Sequence, residues 1–382
     1  MPDTLRGGVV TTDILQTLRV IDFSGIFLLE PTQNPFTLIL SQTAKEVTEN
    51  PEFTISEDAY FERFTRINYA PGYAATLTSL EVDDADVFQV GDLILVTRTE
   101  EEMQVATVNT TSNVITVTRG AAGTTAAALV DNDELLNLGA SNAENATSRQ
   151  AMVTKKTAKT NYTQIFRRSI EFSRTQLNSR NYGQDRMDFE RRKIAEEVAR
   201  DIEYSFMFGS KSQTVGGASD VERTTDGLLN LITENVTDMG GASLLEADFE
   251  AVLRDAFEYG SDRKLAIGSP LFNSIISEYS KAKLETRIGE STYGIKITDY
   301  ISPHGTLSVL EHRMLKGDVF GAWVWILDMD AIKYRFLVNS DVQMKSNIQA
   351  NDQDGQKDEI LGEVGLHLEH DKKHAIIHNF TT

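Results

Sequence analysis

Apolar positions recur with a helical period most regularly between Gln184 and Phe208. Met187, Ile194, Val198, Ile202 and Phe206 stand seven and then four residues apart, with Ala195, Ala199 and Ser205 beside them, which turns one face of a helix towards a core. The other face is charged: Asp188 with Arg192, Arg192 with Glu196 and Glu196 with Arg200 are opposite charges four apart. Each such pair is worth roughly 0.2 to 0.5 kcal/mol on an exposed helix. Gly183 precedes the segment and Gly209-Ser210 stops it. At about 1.5 Å per residue the helix is a rod of about 40 Å, longer than a small globule needs.

Between 73 and 139 the period changes to two. Thr76 to Val82, Leu93 to Thr97, Met103 to Val108, Val114 to Thr118 and Glu134 to Leu138 alternate, and Val90-Gly91-Asp92, Asn109 to Asn113, Gly120 to Gly123 and Asp131-Asn132-Asp133 divide them. Five strands of that length predict a small β-barrel. Its basic residues are Arg98 and Arg119 against eleven acidic ones, the profile of a solvent-facing module inserted at an exposed tip. Contact-making is its plainest role, and carbohydrate or protein binding is the sharper one.

The stretches flanking this insert are electrostatic opposites. From Glu46 to Glu62 the charges are all acidic, including Glu49, Glu52, Glu57 and Asp58, whereas Arg149 to Arg180 carries Lys155, Lys156, Lys159, Arg167, Arg168 and Arg174 against Glu171 alone. Both are rich in Thr, Phe, Tyr and Ile and read as extended strands. They are expected to form the two legs of one long hairpin, or to clasp adjoining molecules, since opposite charges across strands gain a few tenths to about 1 kcal/mol per pair. Tyr162 and Phe166 interleave with the positive charge as in a nucleic-acid strip, but no RNA-binding signature accompanies them.

Residues 1 to 45 read as an arm with little packing of its own. Leu15, Leu18 and Ile21 suit a short helix, while Gly7-Gly8, Gly25, Pro31 and Pro35 interrupt the rest, so its apolar residues are expected to lie on a neighbouring copy. Beyond the long helix, Ser243 and Glu246 have the spacing of a capping box before a helix carrying Phe249, Val252, Leu253, Ala256 and Phe257, closed by Gly260. Ser269-Pro270 caps and opens another helix after the strand Leu265 to Gly268. Ala322 to Leu327 with Ile332 to Val338, and Glu363 to Glu369 with His374 to Asn379, are each expected to pair as a hairpin.

The chain has 382 residues, 40% of them hydrophobic, no cysteine and a net charge of -20. That composition suits an ordinary soluble fold of two to three domains and removes disulfide and cysteine chemistry. The charge argues against wrapping nucleic acid. No run of 18 apolar residues and no basic-then-apolar start is present, so neither a membrane span nor a secretory signal is expected. Catalytic signatures fail on inspection. Gly289 to Lys296 resembles a phosphate loop but has Ile295 where the lysine belongs, and Asp352, Asp354 and Gly355 lack both ends of a calcium loop. Four of six histidines, His367, His370, His374 and His378, lie around the turn Asp371-Lys372-Lys373. Their spacing is one that zinc or nickel accepts, and a pH-sensitive contact between copies is a further reading. The plainer expectation is surface histidines, with no metal, no cofactor and no enzymatic activity.

The order of these parts resembles the major capsid proteins of tailed bacteriophages with the Hong Kong 97 fold, and most closely the SU10-type major head protein family. The residues that carry the likeness are R-R-S-I-E-F-S at 167 to 173, F-E-R-R-K-I-A-E-E-V-A-R-D-I-E at 189 to 203, I-G-S-P-L-F at 267 to 272 and H-A-I-I-H-N-F at 374 to 380. The resemblance implies an α+β fold: an N-terminal arm (1–45), an extension loop (46–72 and 140–182) carrying the inserted barrel (73–139), a peripheral domain with the spine helix (183–214 and 336–382) and an axial domain (215–335). It further implies hexamers and pentamers closing into an icosahedral head around double-stranded DNA, with the charged residues of the two legs at contacts between subunits. A portal, scaffolding or decoration proteins would be partners, DNA would be held loosely, and no membrane is involved. Some members of the fold join subunits through a Lys and an Asn, and no such motif matches here, so an uncrosslinked shell is expected. The alternatives are an encapsulin-like compartment of the same fold and a glycan- or host-binding decoration or fibre protein.

Overall fold

The computed structural model describes residues 34–381 apart from 44, 143, 145–146, 180–185, 217–219, 284–286 and 289–296. The short helix expected near Leu15 to Ile21, Arg180 and Gly183 fall outside the described residues. Residues 56–157 form one compact unit and the remainder a second. The larger unit opens with α1 (Pro35–Thr43), β1 (Lys45–Thr48) and β2 (Glu52–Glu57). The smaller holds β3 (Phe64–Arg66), β4 (Ser79–Glu81), β5 (Asp92–Val96), β6 (Glu102–Asn109), β7 (Val114–Thr118) and β8 (Glu134–Ala140). The chain returns through β9 (Thr157–Tyr162), β10 (Gln164–Ser173), α2 (Arg174–Asn178), α3 (Arg186–Phe208), β11 (Ser212–Gly216), β12 (Asp220–Thr224), α4 (Leu228–Leu231), β13 (Val236–Asp238), α5 (Glu246–Ala256), β14 (Arg263–Gly268) and α6 (Pro270–Lys283). It ends with β15 (Arg287–Ile288), β16 (Ile297–Ser302), β17 (Gly305–Glu311), α7 (Gly317–Phe320), β18 (Trp323–Leu327), β19 (Ile332–Leu337), β20 (Gln343–Lys345), β21 (Gly355–Leu368) and β22 (Ala375–His378).

The periodic residues of α3, Met187, Ile194, Val198, Ile202 and Phe206, are all buried. The last four meet a five-stranded sheet, ordered β1-β19-β21-β10 with β20 also on β21, and one face of a seven-stranded sheet, ordered β13-β22-β18-β14-β17-β16-β15. The other face of the larger sheet is covered by α5 and α6 through Phe249, Leu253, Phe272 and Ile276. Along β18, Trp325 and Leu327 join the first core and Val324 and Ile326 the second. Burial on both faces is why W-V-W-I-L is apolar without alternation. The helix stops at Gly209, whose N–H donates to Ser205 O at 2.9 Å. A Cβ there would lie 2.4 Å from Ser205 O and 2.6 Å from Thr225 O, so no larger residue fits.

Several expectations are corrected. The last turns of the arm are not loose: α1 starts at Pro35, a favoured first helical position, and buries Phe36 and Leu40 in the main core. Neither expected hairpin forms. β18 lies in the seven-stranded sheet and β19 in the five-stranded one; β21 and β22 are likewise divided. Short 3-10 turns, Met329–Ala331 and Asp371–Lys373, redirect the chain between sheets, and His370 takes a φ of 50 at the second. The capping box is out of register too, because α5 begins at Glu246 with Leu245 as its half-in residue. Ser269, by contrast, caps α6, accepting from Phe272 N–H at 3.3 Å.

In the smaller unit the five expected strands are joined by β3, giving the order β3-β8-β5-β6-β7-β4. An Ile67–Val82 bridge links the two outermost strands, with Asn68 N–H donating to Glu81 O at 3.0 Å. Alternation points Leu80, Ile94, Met103, Ile115 and Leu135 into one core. Inside that unit, Glu101 is fully buried and paired with Arg119 at 2.7 Å.

Gly260, which closes the loop after α5, has a φ of +92, and a Cβ there would sit 2.3 Å from Asp328 Oδ2. Gly260→Ala is expected to lower the denaturant midpoint of the unassembled chain, with roughly 1 to 3 kcal/mol from backbone strain alone before the clash is added. An unchanged midpoint would show that the loop can rearrange freely.

Candidate inter-subunit interface

The basic strand spends its charge within the chain. β10 pairs along its length with β21, from Gln164 opposite Val364 to Ser173 opposite Gly355. Alternation sends Arg168 towards α3, where Nε meets Asp201 Oδ2 at 2.8 Å and Nη1 meets Glu197 Oε2 at 2.5 Å. Arg167 pairs with Glu359 at 3.2 Å, Arg174 with Asp354 at 2.9 Å and Lys159 with Asp371 at 3.4 Å. Arg149 meets the buried Asp92 at 2.7 Å. On the acidic side, Glu46 accepts from Arg335 at 2.9 Å. The two legs pair with one another as β2 on β9, beside which Thr163 N–H donates to Pro51 O at 2.8 Å. The expected hairpin is thus present at β2 and β9, but the acids that answer Arg167, Arg168, Arg174 and Lys159 come from α3 and from 354 to 371, far away along the chain.

Arg191 of α3 ties the helix to β21 through Asp358, Nε to Oδ2 at 2.7 Å. The Asp358 side chain is fully buried. Burial alone would raise its pKa, but the Asn347 N–H, the Arg191 guanidinium and the Gln356 amide outweigh that and hold the carboxyl below its usual range.

The two crossings between sheets meet at a polar corner that sequence reading missed. Asp328, ending β18, accepts from Ser261 N–H at 2.9 Å and Ser261 Oγ at 3.0 Å, while its own N–H donates to His374 Nδ1 at 3.1 Å. Glu369 N–H donates to Ala331 O at 2.9 Å, fastening one crossing to the other. Lys264, 1% exposed, donates to Tyr259 O at 2.9 Å and to Lys373 O. Its burial pulls it down to about 8, with Asp328 opposing and Lys373 adding. The surface-histidine expectation fails for His367 and His374, which are both buried. His367 stacks on Phe53, and His378 stacks on Trp323 at 4.6 Å. Among the described residues no three His, Asp or Glu side chains are arranged to hold a metal ion. The signal available in the sequence was a single Lys, Asp or His bordering an otherwise apolar run.

What remains on the surface is a different set. Glu49, Glu52, Lys155 and Lys156 are exposed, Glu57 is buried, and Asp58 accepts from Thr154 Oγ1 at 2.8 Å. Beside them Tyr60 is 99% exposed and Val153 85%, with Phe61 and Phe64 also at the surface. They can bind another surface by burying apolar area between flanking charges.

A family model described as SU10 major capsid protein matches residues 10–381. Among solved structures, the chain is similar to that of Mycobacterium phage Bobi, with a TM-score of 0.54 at 7% identity over 97% of this chain and 99% of that one. It is similar to that of Microbacterium phage Oxtober96, with a TM-score of 0.52 at 11% identity over 97% and 99%. The capsid of an empty GTA particle gives 0.52 at 11% identity over 99% and 100%. At these identities the likeness shows the fold, an α+β fold of the Hong Kong 97 type. No curated protein matches the chain.

Proposed function

This chain belongs to the SU10 major capsid protein family, and from that premise we propose that it closes, as hexamers and pentamers, into an icosahedral phage head around double-stranded DNA. Its work is structural. The observation that carries the finer reading is the neck formed by residues 58–63 and 149–156, which leaves Tyr60 and Val153 in water beside Lys155 and Lys156. A chain working alone has no use for that exposure, whereas a shell subunit buries it against a copy.

In this reading 46–72 and 140–182 are the extension loop, 183–214 with 336–374 the peripheral domain, and 215–335 the axial domain, whose seven-stranded sheet also takes in β22 from the segment expected to be peripheral. Glu49, Glu52, Lys155 and Lys156 face the neighbouring subunit. Lys159, Arg167, Arg168 and Arg174 brace the root of the loop against the subunit's own body. The net charge of -20 leaves packaged DNA ungripped, since binding a duplex needs Lys and Arg on the contact face. Assembly takes place in the host cytoplasm, with a portal and, where used, scaffolding or decoration proteins. The purified full chain is expected to yield closed particles by negative-stain microscopy, which run as intact monomer on a denaturing gel. A compact, heat-resistant monomer would overturn the reading, and a ladder of multimers would overturn the absence of crosslinks.

A further inference from the structure

The outer face of the six-stranded sheet is divided. On β6, β7 and β4 the outward positions Gln104, Thr118, Thr116 and Ser79 are polar, as a solvated face requires. On the other three strands they are not. Phe64 of β3 lies opposite Leu136 of β8, and Leu136 lies opposite Leu95 of β5, a row of neighbouring side chains on one face. Leu138 and Leu93 extend the row into a patch; Phe64 is 57% and Leu138 44% exposed. Its rim carries two glutamates, Glu102 opposite Leu95 and Glu134 at the far end, the latter paired to Arg66 at 3.1 Å.

The occupant is indicated by what else the same unit displays. Residues 56–157 hold fifteen acidic and seven basic residues, and the adjacent lysines Lys155 and Lys156 lie on the neck with Tyr60 and Val153. The Thr154–Asp58 hydrogen bond of 2.8 Å ties the two segments of the neck together. The neck is thus apolar with positive charge, and the patch apolar with a negative rim. Within one chain both stand exposed, so neither covers the other.

We infer that the Phe64–Leu136–Leu95 patch is the seat for the Tyr60–Val153 neck of a second copy of this chain, with Lys155 and Lys156 facing Glu102. The inference rests on the shell reading above and names the surface on which one of its contacts is made. Seat and neck are different surfaces, so the contact runs head to tail and propagates round a ring.

The test is a charge exchange in the full chain, read by negative-stain microscopy and sedimentation. Lys155→Glu with Lys156→Glu is expected to abolish particles, and adding Glu102→Lys to restore them, which a misfolded chain could not do. Native-like assembly of the lysine variant overturns the inference. So does loss of assembly that the glutamate exchange fails to restore, because the lysines then face another surface while the unaltered chain still builds shells. If the unaltered chain builds none, the shell reading falls and takes this contact with it.

Discussion

Glu203→Ala is expected to cost about 3 to 5 kcal/mol, the range for stranding groups that depended on a buried charge, and to detach α1 from the spine. The Glu203 carboxylate is fully buried on α3. It accepts from Phe36 N–H at 3.1 Å, Thr37 N–H at 2.7 Å and Thr37 Oγ1 at 2.5 Å, and His312 Nε2 lies 2.7 Å away. The first turn of any helix leaves N–H groups without intrahelical acceptors, and its positive dipole end favours an anion. Glu203 supplies both needs from 166 positions away. Alanine leaves two buried N–H groups, a hydroxyl and an imidazole facing nothing, each costing about 1 to 3 kcal/mol if water cannot reach it. Glu203→Gln keeps one acceptor oxygen and should fall between. Hydrogen exchange at residues 36–40 combined with thermal unfolding checks this. Unchanged protection of those amides in the alanine variant would contradict it.

Acid is the second large lever, and its sign follows from His374. Burial, with Lys264 nearby, pushes this imidazole from 6.5 down to about 3, against a weaker pull from Asp328. The folded chain therefore stays unprotonated at His374 while the unfolded chain takes up a proton near 6.5. Where the unfolded state binds more protons, stability rises with pH, so this contribution is complete above about 6.5 and is lost as pH falls towards about 3. The limiting slope is ~1.4 kcal/mol per pH unit. Burial lowers His367 as well, in the same sense. The carboxyls of Asp358, Asp328 and Glu101, all held below their usual range, add a further loss below about pH 4. At the alkaline end Lys264 acts unusually: lowered from 10.5 to about 8, it makes stability rise with pH between those values. His374→Asn keeps an acceptor for the Asp328 N–H but cannot titrate. Urea midpoints of the unassembled variant should fall less steeply between about pH 6.5 and 4, where only the contribution of His367 remains, and keep the carboxylate limb. Parallel profiles for variant and native chains would remove His374 as the cause.

Both predictions concern joints between segments distant in sequence, and there the reading from residues alone was weakest. The spine helix, the strands of the smaller unit and the Ser269-Pro270 helix start were legible because period and capping are properties of a few consecutive residues. The charges of Arg167, Arg168 and Arg174 were visible too, but not their partners. Coulomb energy depends on separation in space, and Glu197, Asp201, Asp354 and Glu359 come near only once α3 and β21 are in place. The exposed neck carried its signal in Tyr60, Val153 and two lysines, yet nothing local distinguished those lysines from Arg167 or Arg168.

The two failed hairpins mark the boundary most clearly. W-V-W-I-L, I-K-Y-R-F-L and A-I-I-H are unmistakable strands, but a strand buried on both faces does not alternate and so carries no mark of the sheet it joins. Residue order along the chain settled which segments are helical or extended and that their succession is that of a shell protein. Which strand lies beside which, and therefore where Lys264, Asp328, His374 and Glu203 find their partners, was decided by the packing of two sheets around one helix, since only there do apolar faces compete for the same buried area.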